Sequence, residues 1–155
     1  MNLVGPGPVD GHFIDAAGAV DGLDVRGRWA DLGSGAGFPG IALAARHPTA
    51  EVVLVESRAK RATFLSTVIR EASIGNATVF HGRVEDLSPG FDGVISRAFR
   101  PPEDYLNDAA RLLLPHGQAV LMSGDPPPAF DGWAVRETHN YAVPGGTRTR
   151  TVFVR

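Results

Sequence analysis

Residues 31–40 read DLGSGAGFPG, four glycines in ten positions, after the run RWA and before the helix-like IALAAR. A chain gives up side chains this densely where its backbone must turn with positive φ or pass close to another group. The stretch therefore marks a turn from strand to helix. In a parallel sheet such a turn lies at the carboxyl edge, where ligands bind and the next helix offers unpaired N–H groups. Gly35-Ala36-Gly37-Phe38-Pro39-Gly40 fits G-x-G-x-x-G. Glu56 ends the next apolar run 21 residues after Gly35, where a carboxylate can take both hydroxyls of a ribose. Together they point to a nucleoside cofactor; a tight packing turn is the plain alternative, weakened by Glu56.

Outward from this turn, short apolar runs alternate with segments of helical period. Arg28–Leu32, Glu51–Glu56, Ala77–Gly82, Asp92–Ser96 and Gln118–Met122 read as strands bounded by Gly, Pro, Asn or Asp. Pro39 fits the first turn of a helix that carries Ile41, Leu43 and Ala44 and ends at His47-Pro48. A second helix, Arg58 to Ser73, sets Phe64, Leu65, Val68, Ile69 and Ala72 on one stripe, and a third runs from Pro102 to Leu114. This alternation implies an α/β fold: a largely parallel sheet with helices on both faces, joined by right-handed crossovers. Residues 133–155, WAVRETHNYAVPGGTRTRTVFVR, break the pattern, because two strand-like runs flank Pro144-Gly145-Gly146 and so form a terminal antiparallel hairpin. The reading is of one domain over 1–155, with 1–27 as a loop-and-helix lead-in. Loose segments are expected in the first 11 residues and in Gly124–Asp131, which holds Pro126, Pro127 and Pro128.

Composition removes several classes of function. With 155 residues and 43% hydrophobic side chains, the chain can bury one core, and no apolar run is long enough to span a membrane. The N-terminus has no basic region followed by an apolar one, so the expected location is cytoplasmic. The absence of cysteine excludes disulfides, thiolate metal sites and cysteine nucleophiles. The five histidines are scattered, and no metal is expected. A formal charge of -2 excludes a globally basic nucleic-acid binder but leaves room for a local basic face. Lys60 is the sole lysine among the 15 basic residues, which reflects genomic composition and carries no function.

Nicotinamide cofactors and S-adenosylmethionine use the same sheet edge and the same strand-two acid. Three details favour the methyl donor. Asp31 sits two residues before Gly33, where an anion repels a pyrophosphate and suits ammonium and sulfonium charges. The residues after the turn suffice only to finish the sheet, leaving none for a dehydrogenase's substrate domain. With Lys60 the only lysine, no Tyr-x-x-x-Lys pair exists.

DLGSGAGFPG, VESRAKRATFL, GRVEDL and FDGVISRAF occur in an order and spacing that resemble the GidB family of bacterial methyltransferases, which methylate N7 of one guanosine in small-subunit (16S) ribosomal RNA. NLVGPGPVDGHFIDA is similar to the loop and helix before that family's glycine turn. The resemblance covers most of the chain, is most specific over residues 31–99, and lacks the usual N-terminal helical segment. It implies a Rossmann-like class I S-adenosylmethionine-dependent fold with a mostly parallel seven-strand sheet. It also implies that Gly33, Phe38, Val84, Glu85 and Arg97 occupy cofactor positions, with Arg97 a possible positioning group; Asp31, Gly35 and Glu56 join them from the residue-level reading. Arg58, Lys60 and Arg61 would face RNA. His12 and Asp15 match a family pair, for which a structural histidine is an equal reading.

The chemistry such a site demands is modest. Guanine N7 already carries a lone pair, so attack on a sulfonium methyl needs alignment rather than a general base. Methylation of a pyrimidine C5 normally needs a cysteine, and methylation of an exocyclic amine an Asn/Asp-Pro-Pro-aromatic motif where this chain has Ser96-Arg97-Ala98-Phe99. Arg58, Lys60, Arg61, Arg97, Arg100, Arg148 and Arg150 are expected on one face that phosphates would neutralise; a solvated rim is the plain alternative. Two departures bear on substrate identity: Met122-Ser123-Gly124 stands where the family has a basic residue before glycine, and its terminal arginine matches either Arg148 or Arg150. Three functions stay open on sequence: a guanine-N7 methyltransferase acting on ribosomal RNA or the small subunit, a same-fold methyltransferase for a small molecule or another RNA, and a non-catalytic cofactor-binding subunit. Oligomeric state is not legible.

Overall fold

The computed structural model describes residues 9–155. In chain order its elements are α1 (Val9–Val20), β1 (Arg28–Leu32), α2 (Gly40–Arg46), β2 (Glu51–Glu56), α3 (Ala59–Glu71), β3 (Ala77–His81), β4 (Phe91–Arg97), α4 (Pro102–Leu112), β5 (Leu113–Ser123), β6 (Ala134–Val143) and β7 (Gly146–Val154). A single 3-10 turn, Val84–Asp86, follows β3. The seven strands form one sheet in the order β3-β2-β1-β4-β5-β7-β6. β1 to β5 pair in parallel, and β7 runs antiparallel between β5 and β6.

The central strands read as continuous apolar runs because both faces are covered. Alternate residues go to opposite sides. Trp29, Val52, Leu54, Ile95, Val120 and Val152 pack with Val20 of α1, Leu43 and Ala44 of α2 and Leu65 of α3. Ala30, Leu32, Val53, Val55, Val94 and Ala119 pack against Tyr105, Leu106, Ala109 and Leu112 of α4. The chain leaves β1 toward β2 on one side and later returns to β4 on the other, so the sheet order reverses between β1 and β4. That reversal opens a crevice at the carboxyl ends of the strands, beside the glycine turn.

The elements differ from the sequence reading mainly at their ends. Part of the supposedly loose N-terminus, Val9 to Gly11, opens α1, which is held by the buried Ala16, Ala19 and Val20; residues 1–8 lie outside the described residues. Pro39 stands just before α2 rather than within it. Ala72 falls outside the buried stripe because α3 stops at Glu71. The third helix ends at Leu112, and Leu113 already pairs with Phe91; Pro115, His116 and Gly117 then loop out before Gln118 pairs with Gly93. His116 takes a φ of 67° there, which lets the strand resume register.

Candidate active site

The glycine turn is built from both sides. Gly33 and Ser34 donate their N–H groups to the Val55 carbonyl at 3.1 and 2.9 Å, which pins the end of β1 to the end of β2. Gly33 has a φ of 74°, and a Cβ there would drive into the Phe99 ring after β4. Gly35, at a φ of 57°, needs its left-handed turn, while a Cβ there would meet only the Gly33 carbonyl and Arg61 at ordinary contact distance. Glu56, 5% exposed, accepts from the Gly35 N–H at 3.0 Å and the Arg58 N–H at 2.8 Å. Its carboxylate thus ties the glycine turn to the start of α3 and keeps lone pairs in reserve, since a carboxylate offers about four.

Asp31 lies behind the same turn. Its Oδ2 accepts from the Gly40 N–H at 3.0 Å at the start of α2, while its buried Oδ1 has no hydrogen-bond partner. The Ser34 hydroxyl donates to the Asp31 backbone carbonyl rather than to the carboxylate. Burial lifts the Asp31 carboxyl to about 6, aided by the nearby Glu56 charge and opposed by Gly40 and Arg97.

In front of the turn opens a cleft of about 670 Å³, walled by the glycine turn, Phe38, the end of β4, the end of β5 and α1. The volume suits a nucleoside-sized ligand. Arg97 projects from β4, with Nη1 3.2 Å from Asp15 Oδ2 and 3.4 Å from His12 Nδ1, and its guanidinium lies 5.9 Å from the Phe38 ring centre. Ala98, next in the wall, has a φ of 51°, a strained conformation for a residue with a side chain. No sequence signal marks it. Nor does one mark Tyr141, whose hydroxyl donates to Asp15 Oδ1 at 2.8 Å across 126 residues of chain.

The proposed cofactor residues divide into two groups. Gly33, Gly35, Phe38 and Arg97 line the cleft. Asp31 and Glu56 brace the turn from behind, and Val84 and Glu85 lie outside the cleft wall. Val84 is buried in the core, while Glu85 is ion-paired with Arg100 at 2.5 Å, a bond that holds its carboxyl below the usual range.

The basic residues divide as well. Arg61 and Arg148 line the cleft, and Arg58 and Lys60 are exposed beside it at the start of α3. Among the described residues none of these four is paired with a carboxylate. Arg100 differs from expectation: it is held by Glu85 and by Asp108 at 2.8 Å, and it stacks over Phe99, so its charge is spent within the fold. Arg150 departs further. It is 1% exposed, donates to the Ala19 and Asp21 carbonyls at 3.0 and 2.6 Å, and pairs with Glu137. It belongs to the core, not to an RNA-facing surface, because α1 covers it.

The donor set fits S-adenosylmethionine. An orphaned buried carboxylate oxygen and a second buried acid suit a cationic ligand with N–H and ribose O–H donors, and the turn leaves room for it at Gly35. Among the described residues no three His, Asp or Glu side chains gather to hold a metal, and no helix is long and apolar enough to cross a membrane.

Sheet order, glycine turn and strand-two acid together define a class I S-adenosylmethionine-dependent methyltransferase. Solved structures share the fold: the mitomycin 7-O-methyltransferase MmcR at a TM-score of 0.72 and 14% identity, over 91% of this chain and 53% of that one, and a precorrin-6y C5,15-methyltransferase from Geobacter metallireducens at 0.65 and 15%, over 90% and 85%. The GidB family pattern, described as rRNA small subunit methyltransferase G, matches residues 8–138. The chain belongs to this family of ribosomal RNA methyltransferases. Relatives named ribosomal RNA small subunit methyltransferase G are 38% identical in Azoarcus sp. BH72, over 92% of this chain and 71% of that protein, and 40% identical in Pseudomonas putida GB-1, over 75% and 55%. The chain thus spans 55% of the second relative's length and 71% of the first's.

Proposed function

We propose that this chain transfers a methyl group from S-adenosylmethionine to N7 of a guanosine in small-subunit ribosomal RNA, and that it works in the cytoplasm, where that RNA is assembled. The observation that carries the reading is a nucleoside-sized cleft backed by buried acids and edged by cations. Asp15, Asp31 and Glu56 supply negative charge within and behind the cleft, and Arg61 and Arg148, which pair with no carboxylate among the described residues, stand at its wall with Lys60 and Arg58 beside them. A cationic nucleoside matches the first and a polyphosphate chain the second.

When bound, the cofactor supplies an electrophilic methyl on a sulfonium. The chain's own work is to hold and align. Glu56 meets the ribose with its remaining lone pairs, Asp31 balances positive charge, Phe38 gives an apolar wall, and Arg97 offers N–H donors to a carboxylate. Guanine N7 presents its own lone pair, so no side chain has to remove a proton, which accords with a cleft whose one lining carboxylate among the described residues, Asp15, is held by Arg97 and Tyr141. Residues 1–155 are proposed to act as one domain.

Labelled-methyl transfer to naked small-subunit RNA, to assembled small subunits and to a metabolite extract tests the reading. Label is expected in RNA, at a site where the N7-methylated base makes the strand cleavable by borohydride and aniline. Label in the metabolites alone makes this a small-molecule enzyme. Cofactor binding without transfer to any of the three makes it a non-catalytic subunit.

A further inference from the structure

We propose that Tyr141 and Asp15 form a positioning pair for Arg97, so that the terminal hairpin sets the orientation of the guanidinium that meets the cofactor's carboxylate. The inference rests on Arg97 being a cofactor contact and adds a residue beyond the stretch matched by the family pattern, which ends at 138.

Three elements meet at one carboxylate. Asp15 comes from α1, Tyr141 from β6 and Arg97 from the end of β4. Tyr141 reaches Asp15 because Gly18, one turn further along the same face of α1, has no side chain: a Cβ there would collide with the phenol ring. The ring lies against the helix, and its hydroxyl reaches Oδ1 at 2.8 Å. Arg97 Nη1 takes Oδ2 at 3.2 Å. Both oxygens of Asp15 are therefore held by donors that arrive from different parts of the fold.

The chemistry of each group suits that arrangement. Tyr141 and Asp15 are each 8% exposed, and burial together with the adjacent carboxylate pushes the phenol far above its ordinary ionisation range, so it remains a donor. Asp15 neutralises one side of Arg97. The Nη2 and Nε groups of Arg97 find no acceptor among the described residues, and its side chain is 22% exposed beside the cleft. Two adjacent N–H groups on a planar fork match a carboxylate bidentately, and only when the fork is held at one angle. Without the Tyr141 hydroxyl, Asp15 is free to rotate and Arg97 to follow it.

The test compares two probes against wild type and Tyr141→Phe, which keeps the ring on Gly18 and removes only the hydroxyl. S-adenosylhomocysteine carries the amino-acid carboxylate; 5′-methylthioadenosine is the same thionucleoside without it. By calorimetry, Tyr141→Phe should bind S-adenosylhomocysteine about tenfold more weakly, the scale of one hydrogen bond to a charged group, and methylthioadenosine as well as wild type does. In an Arg97→Ala background the same substitution should change neither affinity, because the pair acts through that guanidinium. Asp15→Asn, which keeps the side-chain shape, should give the same pattern and decides the matter if Tyr141→Phe does not fold. Equal losses for both probes, an undiminished loss in the Arg97→Ala background, or no loss at all overturns the inference while leaving the cofactor reading intact. Wild-type protein that binds neither probe overturns both.

Discussion

Asp31 shows how a single side chain can be bad for the fold and good for the site. Its carboxyl is raised by burial from an ordinary 3.8 to about 6. Between those two values the folded state holds a proton that the unfolded state has released, so stability falls as pH rises through this window and levels off above it. Asp31→Asn should therefore be more stable than the parent at pH 8, on the order of 2 kcal/mol, with the gain shrinking toward pH 5. Cofactor affinity should move the other way: it should drop below pH 6 in the parent as the anion is lost, and stay flat in the Asn variant. Calorimetry and thermal unfolding across pH 5 to 8 read both trends, and an identical pH profile for the two proteins would remove Asp31 from the site. Glu56 carries a different expectation, since its two oxygens hold the Gly35 and Arg58 N–H groups. Glu56→Ala should lower stability by roughly 2 kcal/mol, with cofactor affinity falling as well. A folded variant of parental affinity would show that the acid braces the turn and nothing more.

At the scale of elements, β7 carries two arginines with opposite fates. Arg148 and Arg150 are two apart and so point to the same face of the sheet. The end of α1 covers Arg150, whose guanidinium caps the Ala19 and Asp21 carbonyls, whereas Arg148, level with Tyr141, stays exposed beside the cleft. A cation at a helix C-terminus also meets the favourable end of its dipole. Arg150→Ala should cost roughly 3 kcal/mol by emptying a buried guanidinium site and leaving the buried Ala19 carbonyl unpaired, and hydrogen exchange in α1 should accelerate. Arg148→Ala should stay within about 0.5 kcal/mol of the parent. Equal stability of the two variants would mean that the hairpin does not anchor α1. Because α1 also supplies His12 and Asp15, loosening it should weaken cofactor binding without touching a cleft residue directly.

At the scale of the whole molecule, a net charge of -2 coexists with a local basic rim. Lys60, Arg61 and Arg148 come from α3 and from β7, on opposite sides of the cleft, and are brought together by the sheet order. Changing all three to Ala should weaken RNA binding far more than it changes cofactor affinity. Removing a cation that sits on a phosphate should flatten the logarithmic salt dependence by about 0.7 for a single-stranded target. RNA binding measured at several salt concentrations gives that slope, and a triple variant with the parental slope would make the rim a solvated surface.

Local pattern alone determined the parallel core, the glycine turn with its left-handed residues, the acid at the end of β2 and the terminal hairpin. Each of these follows from the period of the apolar residues or from a backbone conformation that particular residues permit, and both are written within a dozen residues. What Glu56 grips in the protein itself was not legible, because the Gly35 and Arg58 N–H groups meet it only once β1 and β2 lie side by side. The same holds for Arg100, an expected phosphate ligand that is spent on Glu85 and Asp108. Arg148 and Arg150 read alike in sequence; only the tertiary structure, which sets the end of α1 over Arg150 and opens the cleft beside Arg148, separates a surface cation from a core one. Tyr141 and Asp15 stand 126 residues apart, and their bond exists because the last hairpin folds back against the first described helix. Strand and turn preferences act through neighbours along the chain, whereas the partners of a charged side chain are chosen by which elements the sheet order makes adjacent.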